Sequence, residues 1–414
     1  MSRNPPIVTT IATQGLGSIA SIAVTFMIVH KLGPAGQGFW ASYKALLDFT
    51  ITIALCGLPM AFPFLINVRK ISEIKILKFS VLYAITLMPV ISLALYFLGQ
   101  SRIVTLASTV PHLELTMICV TALILVLNEM ITAISLSTTR TSFFNMIRTA
   151  PPITLLMVIS LWSMATANSL MLAAAVSAVI TLATTVTIWT LTRRPTPGKI
   201  ETSLNYAELA SLSGWNFGVT VFRNAVPMMI FQLLNAKNVS QSSIGCFSIA
   251  MLIQGFALTP MNIIGPMLYN SWSASDDVDQ LKRSYKRLFR TSIISSTAIV
   301  VVLLTFLTTG IDLIPGGDFT EALIPAKILL VMVPIGYWSQ LLVNLLLANG
   351  KAKYYALASA VRLIATLGMM LCAEITITAA ALIIVAGDAV SFVLLTYGVT
   401  KQYRWNSRDI LTIN

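Results

Sequence analysis

Residues 32–63, LGPAGQGFWASYKALLDFTITIALCGLPMAFP, open as a glycine-rich turn and run on as an apolar helix carrying Lys44 and Asp48. The two charges are four residues apart, so they share one helix face. At the middle of a bilayer each costs roughly 2.5–3.5 kcal/mol on insertion scales, which turns such a face toward protein or water rather than lipid. The same face continues through Thr52, Cys56 and Pro59. An echo follows 207 positions later, where Gly38, Phe49, Pro59 and Met60 recur as Gly245, Phe256, Pro266 and Met267. The chain therefore reads as two copies of one membrane unit.

Composition agrees. Of 414 residues, 56% are hydrophobic and 10% charged, and the mean hydropathy of +0.83 exceeds what a soluble domain needs. The net charge of +12 does not imply nucleic acid, because the basic residues lie in short loops between apolar runs and not on one soluble patch. Cys56, Cys119, Cys246 and Cys372 each sit in an apolar run without metal-ligand spacing and read as packing residues. The first apolar segment reads as a retained span, since only Arg3 precedes it and no small-residue cleavage site follows.

Apolar windows predict an all-α integral membrane protein with about twelve transmembrane helices. They cover 7–30, 39–66, 79–99, 115–137, 149–166 and 169–191, then 209–234, 243–272, 290–310, 323–348, 356–373 and 377–397. An N-in, C-in orientation puts twenty Lys and Arg residues inside and only Lys31, Arg102 and Lys237 outside, as the positive-inside rule requires. The Pro-, Gly- and Arg-containing loop near the midpoint divides the chain into an N-terminal six-helix lobe (1–191), a cytoplasmic connector (192–208), a C-terminal six-helix lobe (209–397) and a cytoplasmic tail (398–414). A second echo supports the division: RTSFF at 140–144 pairs with KAKYY at 351–355, each at the entry to the fifth span of its half. Six spans is an even number, so both halves share one orientation. The basic run at 281–290 reads as a short helix lying at the cytoplasmic interface, with a specific lipid-headgroup role as the alternative.

No catalytic motif is present: the glycines at 33, 36 and 38 lack dinucleotide-binding spacing, Gly350-Lys351 lacks the upstream glycine of a P-loop, and the two histidines are isolated. No enzyme activity, cofactor or metal is expected. Seven charges fall within spans: Lys44, Asp48, Glu129, Arg223, Lys327, Arg362 and Asp388. At mid-bilayer they would together cost roughly 18–25 kcal/mol. Lys44 and Lys327 lie near span ends and can snorkel. Arg223 stands out because Asn216, Thr220, Arg223, Asn224 and Pro227 make one polar face. That face serves either a water-filled cavity or a structural ion pair. Gly214 and Gly218, the Gln340/Asn344 and Gln254/Asn262 stripes, and the span-end tryptophans fit helix packing, interhelical hydrogen bonds and interfacial belts.

LGPAGQGFW at the first turn, CGLP at the end of the second span and LLLANGKAKYY entering the eleventh resemble the oligosaccharide flippases of the multidrug/oligosaccharidyl-lipid/polysaccharide exporter superfamily, in that order over essentially the whole chain. The resemblance implies two pseudo-symmetric six-helix lobes around a central cavity, a MATE-like fold working by alternating access. The implied cargo is a polyprenyl-diphosphate-linked oligosaccharide, carried across the bacterial inner membrane for O-antigen, capsule or exopolysaccharide synthesis, with membrane lipids and a polysaccharide polymerase or other assembly proteins as partners. Arg223, Lys44 and Arg362 are the expected cavity cations, and Asp48, Glu129 and Asp388 the candidates for ion coupling. A cation-coupled small-molecule or drug exporter of the same fold is the alternative. A polymerase or ligase would need an ordered outer loop, which the short outer segments do not provide.

Overall fold

The computed structural model describes residues 7–67, 69, 71–100, 111–139, 141–162, 166–193, 206–273, 278–314, 318–403 and 405. Most of the connector at 192–208 and of the tail at 398–414 lies outside them. Thirteen α-helices occur among the described residues: α1 Ile7–Leu55, α2 Leu58–Asn67, α3 Glu73–Gln100, α4 Pro111–Thr138, α5 Thr141–Leu161, α6 Ala167–Thr192, α7 Tyr206–Ala236, α8 Gln241–Ser273, α9 Val278–Asp312, α10 Leu323–Val331, α11 Val333–Ala348, α12 Ala352–Cys372 and α13 Ile377–Tyr403. Ten are long and apolar enough to cross a membrane, and α10 with α11 makes an eleventh crossing if the bent pair is one span.

The count of twelve closes at α1. Its apolar stretch Ala12–Leu55 holds 44 residues, about 66 Å at 1.5 Å per residue, twice the hydrocarbon thickness. Gly33, at φ 67° and ψ −169°, breaks the helix in its middle, so α1 is two helices joined at the Gly33-Pro34 turn. A backbone at positive φ costs an L-residue energy that glycine does not spend. Pro334 stands at the start of α11 without an N–H to donate, and there the expected single span 323–348 becomes two helices bent by 44°.

One expectation is corrected. The basic run 281–290 is not a separate interfacial helix; it forms the first turns of α9, a single helix of 35 residues. Leu281, Tyr285 and Phe289 recur at four-residue steps and are all buried, continuing the packing stripe of the span into the basic segment, so nothing breaks the helix between them.

The chain forms two compact units, residues 1–224 and 225–414. In the first, α4 is the central helix and packs on α1, α2, α3 and α6, while α5 packs on α1 and α6. In the second, the α10–α11 pair is central and packs on α8, α9 and α13, while α12 packs on α13. The boundary between the units falls inside α7, not at the expected connector 192–208, and α4 and the α10–α11 pair are the hubs of their own units.

Polar side chains lock several of these contacts. Lys31 donates to the carbonyls of Ile159 (2.8 Å) and Trp162 (2.9 Å), placing a cation where the end of α5 leaves its carbonyls unpaired. Thr154 and Thr181 share a hydrogen bond between α5 and α6. The Trp189 indole donates to Thr138 Oγ1 at 3.1 Å between α6 and α4, and the Arg193 guanidinium lies over the same indole. In the second unit Tyr337 donates to the carbonyl of Ala257 at 2.9 Å and is buried, tying α11 to α8.

Candidate functional site

The polar face that organises the sequence becomes one end of a continuous track in the first unit. Lys44 Nζ and Asp48 Oδ2 form an ion pair at 2.5 Å, and each side chain is about half exposed. One turn on, Thr52 Oγ1 donates to the carbonyl of Asp48 at 2.8 Å. The same oxygen accepts from Asn224 Nδ2 at 2.7 Å. Asn224 Oδ1 in turn accepts a long 3.5 Å hydrogen bond from Arg223 Nε. The Lys44 face and the Arg223 face are therefore a single feature, joined by the Thr52–Asn224 bond.

The backbone explains why these faces meet. α1 ends at Leu55, and Cys56 (φ 46°) and Gly57 (φ 72°) turn the chain before α2. A Cβ on Gly57 would lie 2.5 Å from the carbonyl oxygen of Ser213 and 2.8 Å from the nitrogen of Phe217. Only a residue without a side chain lets α7 come this close. That approach brings the next two turns of α7, up to Asn224, alongside the Thr52 turn of α1.

Arg223 is exposed and makes no ion pair among the described residues. Beyond the Nε–H given to Asn224, a guanidinium displayed on an apolar helix without a carboxylate partner has four N–H donors available for a ligand or water. Glu129 on α4 is also exposed, and its electrostatic neighbours are Arg148 of α5 and Asp48. The first unit thus gathers Lys44, Asp48, Glu129, Arg148 and Arg223, of both signs. Arg148 was missed as an intramembrane charge because its span was read as starting at 149; α5 already begins at Thr141, two turns earlier. The proline pair 151–152 is tolerated inside the helix.

Arg362 and Asp388 belong to the second unit and are committed to each other. Arg362 Nε lies 2.5 Å from Asp388 Oδ1, with about a quarter of each side chain exposed. Beside them a Cβ on Gly387 would lie 2.5 Å from Thr366 Oγ1, so α12 and α13 approach closely at the pair. Lys327 is exposed near the start of α10 and joins neither group of charges.

No family model matches the chain, and no protein of curated function matches it in sequence. Solved structures match over nearly its whole length. An inward-facing multidrug resistance MATE family transporter of the MOP superfamily superposes with a TM-score of 0.73 at 12% identity, over 95% of this chain and 98% of the other. The lipid II flippase MurJ in an inward closed conformation gives 0.74 at 12%, over 98% and 90%. A MOP superfamily transporter from Pyrococcus furiosus, described by the reversed polarity of its binding pocket, gives 0.67 at 13%, over 97% and 95%. The chain has the all-helical membrane fold that these transporters share. Within that fold the solved structures include drug transporters and a lipid flippase, and the likeness does not separate them.

Proposed function

We propose that the chain is a transporter, not an enzyme, and that it moves polyprenyl-diphosphate-linked oligosaccharide units across the bacterial inner membrane by alternating access, for O-antigen, capsule or exopolysaccharide synthesis. The observation that carries this reading is Arg223: exposed, without an ion-pair partner among the described residues, and held by a hydrogen-bonded track running to Lys44. An anion of about two charges needs a compensating cation when it leaves water, because its desolvation otherwise costs several kcal/mol per charge. A guanidinium fork binds two phosphate oxygens at once. Lys44 and, if its pairing with Asp388 opens during the cycle, Arg362 supplement it. The fold shared with a lipid II flippase supports the reading. The N-in, C-in orientation and the two six-helix lobes around a central cavity belong to the same proposal, as do membrane lipids and a polymerase or other assembly proteins as partners.

The alternative, a cation-coupled exporter of small molecules, draws on Asp48 and Glu129, both exposed and electrostatic neighbours of each other in the first unit. Deleting the gene separates the two. Loss of long-chain surface polysaccharide, with lipid-linked repeat units accumulating on the cytoplasmic side, is the expected result. Unchanged surface glycan with raised sensitivity to cationic dyes would instead establish the exporter.

A further inference from the structure

The first three turns of α9 present a row of arginines with no assigned role. Leu281, Tyr285 and Phe289 are buried to within 3% exposure, and this stripe fixes which way the helix faces. Tyr285 packs on Trp405 and Phe289 on Trp338, at ring separations of 5.8 and 5.2 Å, so the helix cannot roll without breaking an aromatic cluster. Arg283, Arg287 and Arg290 are left on the exposed side, at the three- and four-residue steps that align them on one face. None forms an ion pair among the described residues.

That face does not end with the arginines. It continues through Ile294 (63% exposed) and Val301 (57%), an apolar surface of the kind that meets lipid tails. About 20 residues span the hydrocarbon core; counted back from Asp312, its edge falls near Ile293. At 1.5 Å per residue, Arg290 and Arg287 then lie about 5 and 9 Å outside the core, and Arg283 about 15 Å. The headgroup layer is about 5–8 Å deep on each side, and a long arginine side chain snorkels by several ångströms. The row therefore points along the lipid-facing surface at the depth of the phosphates, not toward protein.

We infer that Arg283, Arg287 and Arg290 form a docking face for the phosphates of anionic phospholipids, which hold α9 in register with the headgroup layer of one leaflet. The occupant follows from charge and position together: three cations without an ion-pair partner among the described residues adjoin a lipid-facing apolar strip, and a planar fork suits phosphate oxygens. A basic side chain near an anionic membrane surface strengthens association by roughly fivefold.

The test uses the purified full-length protein in nanodiscs of phosphatidylcholine containing spin-labelled phosphatidylglycerol or spin-labelled phosphatidylcholine. The wild-type chain should immobilise the anionic probe at least tenfold more strongly than the zwitterionic one. R287Q should reduce that preference several-fold and R283Q/R287Q/R290Q should abolish it, while K351Q/K353Q, which removes two charges from another helix start, should leave most of it. The substituted arginines are exposed, so unchanged thermal unfolding should accompany the loss. A triple variant that keeps the wild-type preference overturns the inference, as does an equal loss in K351Q/K353Q, which would reduce the effect to net charge. Neither result bears on the cargo, because the polysaccharide phenotype is read separately.

Discussion

Asn224 Nδ2 donates to Thr52 Oγ1 at 2.7 Å, across 172 residues of chain. This bond unites two polar faces that lie on different helices, and it positions Arg223 next to a track ending in the Lys44–Asp48 pair. Removing one partner leaves the other polar group among apolar helices.

A double-mutant cycle at these positions should therefore show coupling. Thr52→Val and Asn224→Leu should each destabilise the protein, and the double variant should lose less than their sum by about 0.6–1.7 kcal/mol, the range for hydrogen bonds between membrane helices. Thermal unfolding in detergent gives the measurement. Additivity within about 0.3 kcal/mol would show the contact to be incidental.

The two faces were legible in the sequence because each is periodic: Lys44, Asp48 and Thr52 at four-residue steps, and Asn216, Thr220, Arg223 and Asn224 on one side of a second helix. Their union was not, because helical periodicity states which residues share a face and not which face meets it. The same limit hid the role of Lys31. Among loop charges it looked like one more outer lysine, and only the fold shows it reaching the end of α5. The break in α1 was readable from Gly33-Pro34, whereas the unbroken course of α9 was not. There, charge density suggested a separate helix, and the buried stripe through Tyr285 overrode it.

Gly57→Ala should be strongly destabilising. The substitution places a side chain at φ 72° and sets its Cβ 2.5 Å from the carbonyl oxygen of Ser213, so both the turn and the approach of α7 must give way. Strain of about 1–3 kcal/mol from the backbone alone is expected, with further loss from displaced α7. Reduced accumulation and a lowered unfolding temperature would register it. Gly214→Ala, with nothing within 4 Å of the added Cβ, should be tolerated on the same assay.

Lys31→Met keeps the length of the side chain and removes two charge-assisted bonds to the end of α5. A cost of about 1–2 kcal/mol is expected, below the full value for charged hydrogen bonds because the site is partly exposed. The effect should appear as earlier thermal unfolding. Lys31→Arg should recover part of it, since a guanidinium can reach the same carbonyls.

Arg362 and Asp388 test whether a pair is worth more than its members. Arg362→Met leaves a carboxylate only about a quarter exposed without its partner, at a cost of about 2–4 kcal/mol, somewhat under the figure for a fully buried pair. Arg362→Met combined with Asp388→Leu removes both charges and should be more stable than Arg362→Met alone. If the double variant is the less stable of the two, the charges are not each other's principal partners. If it is stable yet transports nothing, the pair opens during the cycle, as the proposed supplementary role of Arg362 requires.

Arg223 bears most directly on the cargo. Because it has no carboxylate partner among the described residues to abandon, its replacement should leave folding almost untouched, unlike that of Arg362. Arg223→Lys retains the charge but loses the planar fork, and several-fold slower restoration of surface polysaccharide in a deletion strain is expected. Arg223→Ala removes the guanidinium bonded to Asn224 and should lower restoration by at least tenfold. Arg223→Glu would set a carboxylate against the diphosphate and should abolish it. Membrane levels of all three proteins should match wild type within about twofold, since an exposed side chain contributes little to helix packing. Wild-type restoration by Arg223→Ala would remove this residue from the binding of the anionic head. Loss of the Arg223→Ala protein from the membrane would instead return it to a structural role.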